Sequence, residues 1–206
     1  MIIVHHLNES RSQRVLWLLE ELGLPYEIRH YTRDASTRLA PPELQSVHPL
    51  GKAPVIEADG LKLIESGAIV DFLIRRHGAG QLQPALGTDA FEAYQQWLHY
   101  AEGSAMLPLM LRLYVGRLGA AGAPLAPRIA SELENHLGYV DRSLQGREWL
   151  MGDALTGADI QMSFVGEAAR DLRAGYANIN AWVKRFQARP AYRKALERGG
   201  PYALLA

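Results

Sequence analysis

Hydroxyl residues stand at the start of two apolar helical patterns, where chemistry with anions is available. Ser10-Arg11-Ser12-Gln13 runs into VLWLLEELG, with Val15, Leu18, Leu19 and Leu22 at helical spacing. Glu65-Ser66 runs into Ile69, Val70, Leu73 and Ile74 in the same way. The first turn of a helix exposes unpaired N–H groups and the positive end of its dipole, so each place suits a carboxylate or another anion. Each also has a structural reading. Ser10 and Gln13 fit a capping box, and Ser66 fits a plain N-cap. Thr156-Gly-Ala-Asp159 ahead of IQMSFV has capping-box spacing too and reads as structural.

The chain has no cysteine, which removes disulfides, thiolate metal sites and redox cycling on its own sulfur. A thiol reaction here needs a thiol carried in by a ligand. No metal site is expected from the 7 histidines: His5 and His6 are adjacent on a strand and point to opposite faces, and no pair has the i, i+4 spacing of a helical zinc motif. Lys and Arg number 22, as do Asp and Glu, so no general field favours nucleic acid or an anionic membrane. Apolar residues at 48% and charged residues at 21% fit an ordinary folded protein. The start MIIVHH lacks the basic region of a signal peptide, and no run approaches the ~20 apolar residues of a membrane span. A soluble cytoplasmic protein is expected.

These residues need elements to hold them. Residues 2–7 form a β-branched run read as a strand, followed by the helix after Ser10, which Gly23 is placed to stop. Residues 26–31 read as a second strand. Residues 32–51 are irregular, punctuated by Pro41-Pro42 and His48-Pro49-Leu50-Gly51. Residues 53–58 and 61–65 read as two strands joined at Asp59-Gly60, and a helix runs from Ser66 to His77-Gly78. Residues 1–78 therefore form a small α/β sheet domain, 79–88 a linker, and 89–206 an all-helical domain with helices over roughly 89–118, 126–144, 157–172, 178–189 and 191–198.

The run His48-Pro-Leu-Gly-Lys-Ala-Pro54, then Glu65-Ser66, then Asp153-Ala-Leu-Thr-Gly-Ala-Asp159, in this two-domain order, resembles the soluble cytosolic glutathione S-transferase family. The likeness runs over essentially the whole chain, and it is to the bacterial and fungal type without an N-terminal catalytic tyrosine, since no Tyr stands in residues 1–25. The resemblance implies a thioredoxin-like N-terminal domain, an all-α C-terminal domain, glutathione as co-substrate, no metal, and a homodimer. It implies a cis bond at Ala53-Pro54 that presents the Ala53 backbone to the cysteinyl part of glutathione, a one-residue β-augmentation. Ser66 is implied to take the γ-glutamyl carboxylate and Glu65 the ammonium, with Lys52 at the glycyl carboxylate and Gln45 and His48 as weaker partners there. Glu102 is implied to reach the ammonium across a dimer interface.

Thiol activation falls to Ser10, with Ser12, Asn8, Arg11 and the backbone N–H groups of residues 11 and 12 as alternates. A free thiol with a pKa near 8.5 is only about 3% thiolate at pH 7, and lowering it by ~2 units takes about 2.7 kcal/mol. A hydroxyl donor with a helix N-terminus supplies that order of energy. A small hydrophobic electrophile is expected against Tyr100, Met106, Leu107, Met110 and Tyr114. The reaction is conjugation to such electrophiles; glutathione-dependent peroxide or disulfide reduction is the alternative, and a non-catalytic glutathione-binding carrier or scaffold the reading of another class.

Overall fold

The β-branched start of the chain forms β1 (Ile2–Leu7), and its alternate side chains Ile2, Val4 and His6 are all buried. β2 (Tyr26–Tyr31) pairs with it in parallel, from Ile2 opposite Tyr26 to Leu7 opposite Tyr31. β3 (Val55–Ala58) lies antiparallel on the other side of β1, and β4 (Leu61–Leu63) completes a sheet of order β2-β1-β3-β4. The β3–β4 turn uses Asp59 and Gly60 with φ of 52° and 75°, the left-handed pair that a two-residue hairpin needs. Parallel pairing of β1 and β2 requires a crossover, supplied by α1 (Ser12–Glu21). Gly23, at φ 63°, ends α1: its N–H reaches the Glu20 carbonyl at 3.3 Å and that of Leu24 reaches Leu19 at 3.0 Å, the paired bonds of a Schellman close. The stretch expected to be irregular contains one short helix, α2 (Glu43–Val47), started by Pro42 with its φ preset at −58°. α3 (Ser66–His77) has the expected bounds.

This computed structural model describes residues 1–205, and the chain divides into two compact units, residues 1–82 with those from Phe186 onward, and residues 83–185. The expected division placed all of 89–206 in one domain. The difference lies in α9 (Pro190–Gly199), which packs on α1. Trp17 sits 5.3 Å from the rings of both Phe186 and Tyr192. Glu21 holds Arg189 through two bonds of 2.5 and 2.8 Å, and Glu20 holds Lys194 at 2.6 Å and Arg198 at 2.9 Å. With α9 on one side and β1 and α3 on others, every residue from Ser12 to Leu19 is buried. A one-sided apolar stripe would not have required this.

The second unit is helical: α4 (Asp89–Tyr100), α5 (Met106–Gly116), α6 (Ala126–Ser143), α7 (Gly157–Ala168) and most of α8 (Ala177–Gln187). The single helix expected over 89–118 is interrupted by a π-helical turn, Ala101–Ala105, centred on Gly103. Residues 119–124, expected to be a separator, lie within a 3-10 turn, Gly119–Leu125. The capping box at α7 forms. Thr156 Oγ1 accepts the Ala158 N–H, while the Asp159 carboxylate accepts from the N–H groups of Thr156 and Leu150 and from Trp182 Nε1 at 2.9–3.0 Å. α7 meets α8 at Gly166, where a β-carbon would stand 2.7 Å from the Trp182 ring. Among the described residues, no helix is long and apolar enough to cross a membrane.

Candidate functional site

α3 begins without a side-chain cap. The N-cap position belongs to Glu65, so Ser66 is the first helical residue and not the plain N-cap that its sequence position permits. Glu65 adopts φ 65° and ψ 111°, a left-handed conformation uncommon for a residue with a β-carbon. Its side chain is exposed and has no partner among the described residues. Ser66 is buried, and its Oγ receives Arg14 Nη1 at 3.1 Å. Arg14 is itself only 1% exposed, a guanidinium under the first turn of α3. An uncapped helix start with a buried hydroxyl backed by a cation can receive an anion, and the exposed Glu65 carboxylate can receive a cation.

The Ala53–Pro54 peptide is cis, as the motif implied. β3 begins one residue later than Pro54, and the N–H and C=O of Ala53 have no backbone partner among the described residues. They are available to extend the sheet's pairing by one residue of another molecule. Lys52 is exposed and unpaired among the described residues, suited to a free carboxylate. His48 is used locally: its carbonyl accepts the Gly51 N–H at 2.8 Å, and Nδ1 faces the Leu50 N–H at 3.4 Å. Gln45 Cγ lies 2.8 Å from where a β-carbon on Gly51 would stand, and Gly51 has φ 58°, so this position is confined to glycine twice over.

The start of α1 departs from the capping box. Its N-cap is Arg11, with no side-chain cap bond. Ser10 Oγ accepts the N–H of Ser12, not of Gln13, at 3.2 Å, and only the Ser10 carbonyl meets the Gln13 N–H. Gln13 cannot reach back because its amide is turned toward Gly199, and its Nε2 is buried without a partner. Ser12 is fully buried, bonded to Ser10 Oγ at 2.7 Å and His6 Nδ1 at 2.8 Å. Burial holds the His6 ring down at about 4, with the charge of His30 adding to the effect, so the imidazole is neutral at physiological pH. Asn8 is occupied: its Oδ1 takes the Arg33 N–H at 2.8 Å, and the Arg33 side chain clamps the Asn8 and Glu9 carbonyls at 3.1 and 3.3 Å.

The other named residues belong to the second unit. Tyr100 is half-buried in an aromatic group with Trp97 and Tyr139, and its hydroxyl pairs with His136 Nδ1 at 2.7 Å. Met106 is core, 4% exposed, Met110 is half-buried, and Leu107 and Tyr114 are more than half exposed. The stripe thus divides between packing and surface. Glu102 lies in the π-helical turn. Arg14 and His6 were not anticipated in the site. A charged residue at 14 inside an apolar helical face was the one visible signal for Arg14; His6 had none beyond its place on a buried strand.

Both units match known families. Residues 1–75 match the glutathione S-transferase N-terminal domain and residues 104–190 the C-terminal domain. The chain is 35% identical to Glutathione S-transferase 3 of Schizosaccharomyces pombe, covering 96% of this chain and 88% of that protein. It is 32% identical to Glutathione S-transferase 1 of Saccharomyces cerevisiae, over 96% and 95%. A solved glutathione S-transferase from Actinobacillus pleuropneumoniae superposes with a TM-score of 0.88 at 36% identity, covering 99% and 95%. A family member from Pseudomonas fluorescens, with two glutathione bound, gives 0.79 at 31%, covering 95% and 92%. An unpaired Ala53 backbone beside a cis proline and an uncapped helix led by Glu65-Ser66 are thus seen in a chain that belongs to the glutathione S-transferase family.

Proposed function

We propose that this protein transfers the thiolate of glutathione to small hydrophobic electrophiles and works as a homodimer. The observation that carries the reading is the start of α3, where a left-handed Glu65 precedes a buried Ser66 at an uncapped helix end. There the γ-glutamyl carboxylate meets the Ser66 hydroxyl and the helix N–H groups, and the ammonium meets Glu65. The cysteinyl backbone pairs with Ala53, and Lys52 meets the glycyl carboxylate. Ser10 is the hydroxyl assigned to the sulfur. Within the chain's own chemistry nothing else supplies a thiol, because it contains no cysteine. Electrophile preference is assigned to Tyr100, Met106, Met110 and Tyr114. In the homodimer Glu102 serves the ligand bound to the other copy.

Calorimetry with glutathione tests the reading directly, and absence of binding to the wild-type protein overturns it. Activity against halo-aromatics, hydroperoxides and mixed disulfides then fixes the reaction: conjugation is expected to dominate, and dominant reduction would reassign the chemistry to glutathione's sulfur as reductant. Light scattering is expected to show a dimer, and a monomer would remove Glu102 from the site.

A further inference from the structure

Between β1 and α1 the chain turns through residues 8–11, and the turn is made by a residue ill suited to it. Glu9 has φ 51°, in the left-handed region that a residue with a β-carbon occupies at a cost. A glycine would take that conformation freely; here side chains from residues 33–39 hold it. The Arg33 guanidinium donates from Nε to the Asn8 carbonyl at 3.1 Å, from Nη2 to the Glu9 carbonyl at 3.3 Å and from Nη1 to the Arg38 carbonyl at 2.9 Å. Its own backbone N–H meets Asn8 Oδ1 at 2.8 Å, and Arg38 pairs with the Glu9 carboxylate. The holding segment is itself folded. Asp34 Oδ1 accepts the N–H groups of Ser36 and Thr37 and the Thr37 hydroxyl at 2.7–3.0 Å, and the Arg38 N–H returns to the Asp34 carbonyl at 2.9 Å. A planar guanidinium fixes the relative positions of its acceptors as a flexible ammonium does not.

We propose that Arg33 is a positioning residue for thiolate formation: by holding Glu9 left-handed, it sets where the Ser10 hydroxyl stands against the sulfur of glutathione. The inference rests on the reading of Ser10 as the hydroxyl that meets that sulfur. Ser10 follows Glu9 directly, is buried, and is anchored on its other side to the Ser12 N–H at 3.2 Å and the Ser12 Oγ at 2.7 Å. Its place is therefore fixed from ahead by α1 and from behind by the Glu9 peptide. A Glu9 released to negative φ turns the peptide that leads into Ser10. A hydrogen bond weakens steeply as its angle and length depart from the optimum, so a displaced hydroxyl stabilises the thiolate less. Loosening the turn thereby raises the pH at which bound glutathione ionises.

Thiolate ultraviolet absorbance of glutathione bound to the protein, titrated with pH, reads the effect. Arg33→Gln removes the fork and is expected to raise the midpoint by about 1 unit, which lowers kcat/KM about tenfold well below the midpoint and lets it recover at high pH. Affinity at acid pH, where the thiol is protonated, is expected to stay as in the wild type. A merely structural Arg33 would alter unfolding and leave the midpoint in place, so an unchanged midpoint in folded Arg33→Gln overturns the proposal. If that variant does not fold, Asp34→Ala on the exposed turn decides: it loosens the same segment, a smaller rise is expected, and no rise overturns the proposal. Two further variants separate position from charge. Arg33→Lys keeps the charge and loses the fork, so it should titrate like Arg33→Gln; a wild-type midpoint would assign the effect to charge and overturn the proposal. Glu9→Gly in the Arg33→Gln background takes φ 51° without penalty and should recover at least part of the shift, and no recovery is equally adverse. Ser10→Ala tells the two levels apart. A wild-type midpoint there, or a wild-type protein that binds no glutathione, overturns the reading beneath the proposal; a shifted Ser10→Ala beside an unshifted Arg33→Gln overturns the proposal alone.

Discussion

Helices α7 and α3 both begin at a hydroxyl residue with a carboxylate close in sequence, and the two starts are built for opposite ends. At α7 the polar groups satisfy one another: Thr156 takes a helix N–H, and Asp159, fully buried, takes Thr156, Leu150 and Trp182. At α3 no side chain caps the helix, Glu65 is held left-handed with its carboxylate exposed, and Ser66 is backed by Arg14. A helix end that closes on itself contributes stability. One left open gives up that contribution and keeps donors for a ligand.

The closed end should break hardest. Asp159→Asn replaces an acceptor of several donors by an amide that repels some of them, and is expected to destabilise the protein by about 3 kcal/mol in denaturant unfolding. The pH dependence has a definite sign. Burial raises the Asp159 carboxyl to about 6, against the donors from Leu150, Thr156 and Trp182 that pull it down. The folded value lies above the unfolded one near 3.9, so the folded state binds the extra proton between them. Stability linked to Asp159 is full below about pH 4 and is lost as pH rises through about 6. The slope should be flatter in Asp159→Asn, and equal slopes would show that the donors keep the carboxylate ionised.

The open end should respond in binding, with a folding cost only from the Arg14 donor that loses its Ser66 acceptor. Ser66→Ala is expected to weaken glutathione binding by ~1–3 kcal/mol in calorimetry, the cost of leaving a charged group short of a donor. Thr156→Ala is the counterpart, costing about 1 kcal/mol of stability with the affinity unchanged. Equal loss of affinity in both variants would erase the distinction between the two helix starts.

The same contrast explains what could be read ahead of the structure. Thr156 and Asp159 find their partners mainly within a few residues, so spacing alone predicts their bonds. Asp59-Gly60 and Gly23 are equally local, and the turn and helix end they mark are present. Ser10 and Gln13 have the same spacing as Thr156 and Asp159, but the box does not form, because Gln13 turns toward Gly199. That contact depends on α9, tied to α1 by Glu21–Arg189 and Glu20–Arg198, pairs 168 and 178 residues apart. Local periodicity shows that α9 has an apolar face and says nothing of what covers it. Arg14 under Ser66, 52 residues away, was hidden for the same reason.

The smallest expected effect separates strain from recognition at Glu65. A glycine at φ 65° carries no β-carbon penalty, so Glu65→Gly should raise stability by about 1 kcal/mol if the left-handed backbone is held at a cost. The same change removes the carboxylate assigned to the γ-glutamyl ammonium. Because that side chain is exposed, its loss should lower glutathione affinity by only ~0.2–1 kcal/mol. Stability and affinity then move in opposite directions, which a residue serving only to start a helix would not produce. Glu65→Gln is the control: it keeps the β-carbon, so stability should hold while affinity falls by the same small amount. A stabilised Glu65→Gly with full affinity would mean that the strained backbone serves Ser66 and the helix start alone, and that the ammonium finds its charge partner elsewhere.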